Sequence, residues 1–287
     1  MRVLVTNDDG VHAPGLTHLA RALVESGHDV VIAAPLEECS GAGAGIGPVH
    51  TMGGGIVVND IDLPGLEGVP TFGVDALPAL IVIAGCLQAF GPAPDLVVSG
   101  VNPGRNVGRA ALHSGTVGAA LTAVHFNKRA LAISIQSGPF SGFESAGDGH
   151  IHFETACAIA VALLPQVAEA PVRTVVNCNV PNLPIGSLPG IRRAHLARSG
   201  LIRSVAVAES GDTRMQLELG FGEPQGGDET DQTLSTLGYV TITPLVSVAE
   251  DVRADVRGAI SSSIAAVSAR RGIADSPRGD KAEGPAA

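Results

Sequence analysis

MRVLVTNDDGVHAPGL, residues 1–16, contains a strand, a polar turn and the start of a helix. Arg2–Thr6 is apolar and β-branched, which predicts a buried strand. Pro14 and Gly15 open a segment whose apolar side chains share one helical face: Leu16, Leu19, Ala20, Leu23 and Val24. Asp8 and Asp9 therefore lie where a strand passes into a helix. In an open α/β sheet, ligands bind at that edge.

The adjacent carboxyl groups of Asp8 and Asp9 allow two interpretations. Like charges side by side raise each other's pKa unless something neutralises them. A hard divalent cation, which prefers carboxylate oxygens, is one such partner. The alternative is a solvated Asx turn whose acids cap the following helix.

Composition excludes some classes of function. The chain has 287 residues, 45% of them hydrophobic, enough for one large α/β domain or two smaller ones. Its net charge is −10, which argues against a groove for nucleic-acid polymers. Lysine occurs only at Lys128 and Lys281, so an anionic ligand would depend on a metal and on backbone N–H groups.

The four cysteines, Cys39, Cys86, Cys157 and Cys178, form no C-x-x-C pair, and three lie inside apolar runs. They predict free thiols in a reducing cytoplasm. Residues 1–16 contain no signal-peptide h-region. The most apolar segment, residues 76–90, is shorter than the ~20 residues of a membrane span. We therefore expect a soluble cytoplasmic protein.

Strands and helices alternate along the chain, which predicts a doubly wound, mostly parallel sheet. Further strands are predicted at residues 29–34, 95–99, 129–135, 174–180 and 238–244, a strand or hairpin at 51–63, and helices at 74–90 and 153–167. From residue 191 to 219 the pattern becomes that of antiparallel strands, which predicts a protruding arm. Residues 246–269 are helical in pattern, and the tail beyond 270 is expected to be disordered.

Three segments are rich in glycine or small polar residues, and the first two of them follow predicted strands. Residues 38–47 include Ser40 and could offer free amides to an anion, or form a flexible surface loop. Residues 100–108 form a second loop of Gly and Asn. Ser114-Gly115-Thr116 opens a helix, which suits an anion by geometry and dipole. Alternatively, Ser114 acts only as the N-cap.

Four motifs carry a family resemblance. They are VTNDDGVHAPGL (5–16), SGVNPGRNVG followed by HSGTVGAA (99–108 and 113–120), VNCNVP (176–181) and GYVTITPL (238–245). In this order they resemble the SurE survival proteins, which are metal-dependent 5′/3′-nucleotidases, over residues 1–245. The resemblance implies a Rossmann-like sheet with an antiparallel hairpin arm at about 190–220 and a C-terminal helix. It also implies a homodimer or homotetramer that uses the arm and the C-terminal segment.

The same resemblance implies a site. One Mg²⁺ or Mn²⁺ per subunit would be held by Asp8, Asp9, Ser40 and Asn102. The substrate and its phosphate would contact Asn7, Ser40, Gly41, Asn106, Ser114, Gly115 and Thr116. Asp8 and Asp9 would be catalytic in a direct attack of water on a nucleoside monophosphate, giving nucleoside and phosphate. Oxygen ligands from three strand-end loops agree with the preferences of a hard cation.

Several positions depart from the family pattern. They are Cys39, Arg109, His113, residues 73–78, and Thr122 or Ala123. A SurE-like protein that binds metal or nucleotide but has weak or altered phosphatase activity is therefore the alternative. A receiver-type phosphoacceptor domain needs a third Asp at the end of a later strand and a Lys after another strand. It fits poorly here, because the later strand ends at Ser99 and Lys128 precedes its strand.

Overall fold

The computed structural model describes residues 1–47, 53, 55–137, 149–198, 202–207, 215–219 and 226–248, with the backbone alone for 202–207 and 215–219. The strands are β1 (Arg2–Thr6), β2 (Asp29–Pro35), β3 (Val58–Asp60), β4 (Thr71–Val74), β5 (Leu96–Pro103), β6 (Arg129–Ile135), β7 (Thr174–Val180), β8 (Ile191–Arg193), β9 (Ile202–Val207), β10 (Met215–Leu219) and β11 (Val240–Val246). The α-helices are α1 (Pro14–Glu25), α2 (Pro78–Cys86), α3 (Gly115–His125), α4 (Phe153–Glu169) and α5 (Asp231–Thr236). Gly108–His113 and Ile185–Ser187 are 3-10 helices.

Nine strands form one mixed, mostly parallel sheet in the order β3-β4-β2-β1-β5-β6-β7-β11-β8. β1 pairs in parallel with both β2 and β5, and the chain winds away from it in both directions. The strand order therefore reverses between β1 and β5, and crevices of this kind bind ligands in α/β folds. Thr6 pairs with Ser99, so the loops after β1 and β5 begin side by side. The predicted fold class is confirmed.

The core lies in two layers, one on each face of the sheet. α1 and α4 cover one face, and α2 and α3 cover the other. In α1, Pro14 stands at the first helical position, where its missing N–H is harmless. Leu16, Leu19, Ala20 and Leu23 are buried as predicted. Val24, which the pattern placed on the same face, is exposed at the edge of that apolar stripe.

The predicted helix over residues 74–90 was too long at both ends. Thr71–Val74 is the parallel strand β4 beside β2, and α2 starts at Pro78 and ends at Cys86. A continuous apolar run has no period that separates a buried strand from a buried helix, which explains the error. β5 is longer than predicted, because it pairs with β6 again at Asn102 and Pro103 after an irregularity. Among the described residues of the predicted strand or hairpin at 51–63, which are 53 and 55–63, the structure has only the short strand β3.

The predicted arm divides into two parts. Ile191–Arg193, which was assigned to it, is instead the edge strand β8, paired in parallel with β11. Three exposed residues are too few for a pattern that distinguishes an edge strand from an arm. β9 and β10 form a separate antiparallel pair. Met1–Ser247 forms one compact unit. From residue 249 onward the predicted C-terminal helix lies outside the described residues, and so does the whole of the predicted tail.

The structure also bears on two expectations from the sequence, namely free cysteine thiols and no membrane-spanning segment. All four cysteines are free thiols, three of them buried and Cys39 half-buried. No helix among the described residues combines the length and the apolar character that crossing a bilayer requires.

Candidate active site

Asp8 and Asp9 follow β1 directly and lie at the switch point of the sheet. Asp8 is 2% exposed and Asp9 is half-buried. Asn7 is fully buried, and its side-chain amide donates to the Gly10 carbonyl oxygen at 2.9 Å. This bond closes the turn that presents both acids. Asn7, predicted as a phosphate contact, therefore acts here on the position of its neighbours.

Asp8 is the point where three loops meet. The Thr116 hydroxyl donates to Asp8 Oδ1 at 2.6 Å, and the Cys39 backbone N–H donates to the Asp8 carbonyl oxygen at 2.7 Å. A β-carbon on Gly115 would lie 2.7 Å from Asp8 Oδ2, so only glycine permits this approach. Burial raises the pKa of Asp8, against the bond from Thr116 and the N–H groups of Thr116 and Gly115. The start of α3, predicted to hold phosphate, thus contacts Asp8.

Asp9 is the less satisfied of the two acids. Its Oδ2 atom is buried and has no hydrogen-bond partner in the described part of the chain. Burial, and then the charges of Asp8 and Glu38, raise the pKa of Asp9 from 3.8 to about 7. The effect of Asp8 on the pKa of Asp9 has the predicted direction. A cation placed beside Asp9 would therefore stabilise the ionised form of its carboxyl group.

Ser40 and Gly41 lie on an exposed loop after β2. The Ser40 hydroxyl donates to Glu38 Oε1 at 2.9 Å, which leaves its oxygen lone pairs available. Two bonds fix the loop: that of Cys39 to Asp8, and that of the Gly43 N–H to the His113 carbonyl at 3.1 Å. Burial raises the pKa of the Cys39 thiol, and Asp8 and Glu38 raise it further. Cys39 is therefore a poor nucleophile, and its surroundings are strongly acidic.

Asn102 lies near the end of β5, Asn106 follows that strand, and the two side chains have different surroundings. The Asn102 amide donates to the Gly104 carbonyl at 2.7 Å, which leaves its side-chain oxygen for a cation. The Asn106 amide donates to Ser134 Oγ at 2.9 Å, and its backbone N–H donates to Asn179 Oδ1 at 2.7 Å. The Asn106 carbonyl accepts from the amides of Asn177 and Asn179. Asn106 is thus held by the ends of β6 and β7.

Comparison with known proteins identifies the family of this chain. The family model described as Survival protein SurE matches residues 3–202. The chain belongs to the SurE family. A protein of *Shigella dysenteriae* serotype 1 named 5'/3'-nucleotidase SurE is 37% identical over 256 residues, 85% of this chain and 90% of that protein. A protein of the same name from *Citrobacter koseri* is 36% identical over the same shares.

A solved structure leads to the same family. The crystal structure of the SurE protein from *Aquifex aeolicus* superposes with a TM-score of 0.71 at 26% sequence identity. The match covers 92% of this chain and 100% of that chain. The SurE assignment thus rests on sequence and on fold.

Sequence reasoning missed a polar network around the Asn loop of this SurE protein. Asp231 is fully buried and accepts N–H bonds from Gly108 at 2.9 Å and Ala197 at 3.0 Å. The half-buried Arg105 guanidinium donates to Ser235 Oγ at 3.1 Å. Alternating Asn177 and Asn179 in β7 were the available signal, because polar residues at period two in a buried strand face one site. Asp231, which starts a short helix, had no comparable signal.

The residues present fit a hard divalent cation. Asp8, Asp9, Ser40 and Asn102 offer only oxygen donors, which Mg²⁺ and Mn²⁺ prefer. The unpaired Asp9 Oδ2 and the acidic surroundings of Cys39 both favour added positive charge. Ser114, in contrast, has a structural bond: its hydroxyl accepts the Val117 N–H at 3.1 Å and caps α3.

Proposed function

We propose that this protein is a metal-dependent 5′/3′-nucleotidase, which hydrolyses nucleoside monophosphates to a nucleoside and phosphate. The observation that carries the proposal is the acid pair at the switch point, buried at Asp8 and half-buried at Asp9, with an Asp9 oxygen that lacks a partner among the described residues. The names of the relatives, 5'/3'-nucleotidase SurE, support the reaction and the substrate class.

One Mg²⁺ or Mn²⁺ per subunit would be held by Asp8, Asp9, Ser40 and Asn102. When bound, such a cation polarises a phosphoryl oxygen and lowers the pKa of a bound water. Asp8 is held in one orientation by Thr116 and Gly115, which suits a fixed ligand. The Asp9 carboxylate has fewer bonds, and we assign to it the orientation of the attacking water and the acceptance of its proton.

The chain's own groups would also bind the phosphate. The Gly41 N–H, at a backbone φ of +84°, can donate to phosphate oxygens. The N–H groups of Gly115 and Thr116 bond to Asp8 here, and we propose that they donate to the phosphate once a cation takes over the Asp8 carboxylate. Asn106 carries a side chain already oriented by Ser134.

A cavity of about 190 Å³ beside Cys39 is the candidate site for the nucleoside. It is lined mainly by apolar side chains, among them Ile46, Val74 and Leu77, and none of the described residues that line it is aromatic. We propose that a base is held there by apolar contact rather than by stacking. The cavity includes part of the segment 73–78, which departs from the family pattern, so base preference is expected to be specific to this chain.

Turnover of p-nitrophenyl phosphate by the chelator-treated protein, with and without Mn²⁺, tests the proposal. We expect hydrolysis only after Mn²⁺ is added. A panel of 5′- and 3′-nucleoside monophosphates then gives the preferred substrate. Binding of Mn²⁺ without hydrolysis of any of these esters would favour the alternative, a SurE-like protein that binds metal or nucleotide without efficient catalysis.

Substitution of Ser114 separates capping from phosphate binding. Loss of a cap costs about 1 kcal/mol in Ser114→Ala, whereas Gly caps nearly as well as Ser. If the hydroxyl contacts phosphate, both Ser114→Ala and Ser114→Gly should weaken inhibition by inorganic phosphate and raise KM, with metal affinity unchanged. If Ser114→Gly has wild-type kinetics and wild-type phosphate inhibition, the only role of the Ser114 hydroxyl is to cap α3 by accepting the Val117 N–H.

Assembly and location belong to the same proposal. β9 and β10 form a two-stranded sheet apart from the main one, and such a pair is marginally stable in water alone. We therefore propose that the arm packs on a second copy, in a homodimer or homotetramer. Light scattering at micromolar concentration should give at least a dimer mass; a monomer mass would contradict it. The four free thiols support a cytoplasmic location.

A further inference from the structure

His150, His152 and Glu154 form a second cluster of potential metal ligands, at the start of α4. One ligand atom from each lies within 4.8 Å of the others, and no other group of three His, Cys, Asp or Glu residues does so in the part of the chain that the structure describes. Glu154 Oε1 lies 2.7 Å from His152 Nδ1 and 4.0 Å from His150 Nε2. The two imidazole rings meet edge to face, with centroids 4.7 Å apart.

The backbone that carries the cluster is fixed without any metal. The Asn182 side chain accepts the His152 N–H at 2.8 Å and donates to the His150 carbonyl at 2.8 Å. Phe153, between the ligands, is buried and stacks on His18 with ring centroids 5.4 Å apart. Only side-chain rotations therefore separate the present arrangement from a coordinating one. Such organisation lowers the entropy cost of binding.

Capping of the helix does not account for these side chains. His152 is the N-cap residue of α4, yet its side chain makes no capping bond. Glu154 in the first turn suits the helix dipole, but the dipole gives no reason for two imidazoles beside it. The dipole opposes a cation. The Glu154 carboxylate, next to the site, offsets that effect.

The distances suit a small cation with nitrogen ligands. Donors bound to Zn²⁺ at 2.0–2.1 Å in a tetrahedron lie about 3.3 Å apart. The observed separations of 2.7 and 4.0 Å fall on either side of that value. The side chains of His150 and Glu154 are 57% and 61% exposed, so both can rotate to adjust them. Two imidazoles and one carboxylate prefer Zn²⁺, Ni²⁺ or Cu²⁺ to Mg²⁺.

We propose that His150, His152 and Glu154 bind a divalent cation of the Zn²⁺ class, at a site distinct from the oxygen-donor site at Asp8 and Asp9. Three protein ligands leave a fourth position for water or another small ligand. The two sites differ in ligand chemistry, so they select different cations. This second site does not depend on the proposed nucleotidase reaction.

Cobalt absorption tests the site without an activity assay. The starting protein for this test, called the parent below, is the variant with Asp9→Asn and Cys39→Ser. These two substitutions weaken the oxygen-donor site and remove the one thiol that is not buried. We expect one equivalent of Co²⁺ to give the strong visible bands of a tetrahedral site, and Zn²⁺ to abolish them. His150→Ala and Glu154→Gln should each weaken binding by more than about tenfold, because even indirect partners cost that much at metal sites.

His195→Ala, at an exposed histidine on another segment, is the matched control and should bind as the parent does. A Zn²⁺-dependent rise in Tm should occur in the parent and the control and be lost in His150→Ala. Absence of tetrahedral Co²⁺ bands in the parent would overturn the proposal. Equal Co²⁺ affinity in His150→Ala, Glu154→Gln and the control would also overturn it. Neither result would change what the phosphatase assay shows about the proposed nucleotidase reaction.

Discussion

Asp9→Asn is expected to reduce metal-dependent phosphatase activity by about a thousandfold or more. The substitution removes a charged cation ligand and the proposed proton acceptor together, and an effect of about 4 kcal/mol on the barrier corresponds to that factor. Asp8→Asn should have a similar effect, since it also loses the charge held by Thr116. Turnover with Mn²⁺ and calorimetric titration of Mn²⁺ measure the loss. Asp62→Asn, at an exposed acid, is the control and should behave as wild type.

Stability gives a second readout for Asp9. Its pKa is about 7 in the folded protein and near 3.9 in an unfolded chain. Between about pH 4 and pH 7 the folded state therefore holds the extra proton, and the free energy of unfolding falls as pH rises. Asp9→Asn should remove this slope in metal-free protein. Mn²⁺ should remove it in wild type, because the cation stabilises the ionised carboxylate.

Denaturant unfolding in chelator at about pH 5 and about pH 7.5 measures this slope. Between these two pH values the free energy of unfolding of wild type is expected to fall by about 1–3 kcal/mol more than that of Asp9→Asn, a value reduced for the partial exposure of Asp9. An equal fall in Asp9→Asn would contradict the account of the pKa. Full activity of chelator-treated Asp9→Asn would rule out the metal site.

Gly115→Ala is expected to lower both activity and stability. The added β-carbon would lie 2.7 Å from Asp8 Cβ and Oδ2, so the carboxylate must move away from Thr116. Overpacking of this kind costs about 1–3 kcal/mol. A shift of about 1 Å in a catalytic group costs about a hundredfold in rate. Helix propensity alone predicts the opposite, because Ala in place of Gly stabilises a helix by about 1 kcal/mol.

Gly186→Ala is the matched control, since a β-carbon there would meet no atom within 4 Å. It should leave activity unchanged. Thermal unfolding and kcat/KM of the two variants separate a local clash from a general effect of alanine. Wild-type activity with raised stability in Gly115→Ala would show that Asp8 does not depend on this close approach.

Local patterns predicted much of the fold. β6 and β7 have the predicted bounds, because each buried strand follows a polar or charged residue and β7 stops before Pro181. The turn at Asp8 and Asp9 follows from the strand before it and Pro14 after it. The helix predicted over residues 74–90 was too long at both ends and the strand at Thr71–Val74 was missed, since a uniformly apolar run contains no period. β8 is too short for any pattern at all.

For the candidate site, too, the sequence predicted one part and the tertiary structure decided the other. The sequence by itself predicted two acids directly after the first strand, and it predicted Ser40, Asn102 and Ser114 in segments that meet at the same edge of the sheet. Only the tertiary structure decided that Thr116 holds Asp8 across 108 residues of chain and that Asn179 holds Asn106 across 73. Such contacts depend on strand order and register. Neither is encoded in the period of any single segment.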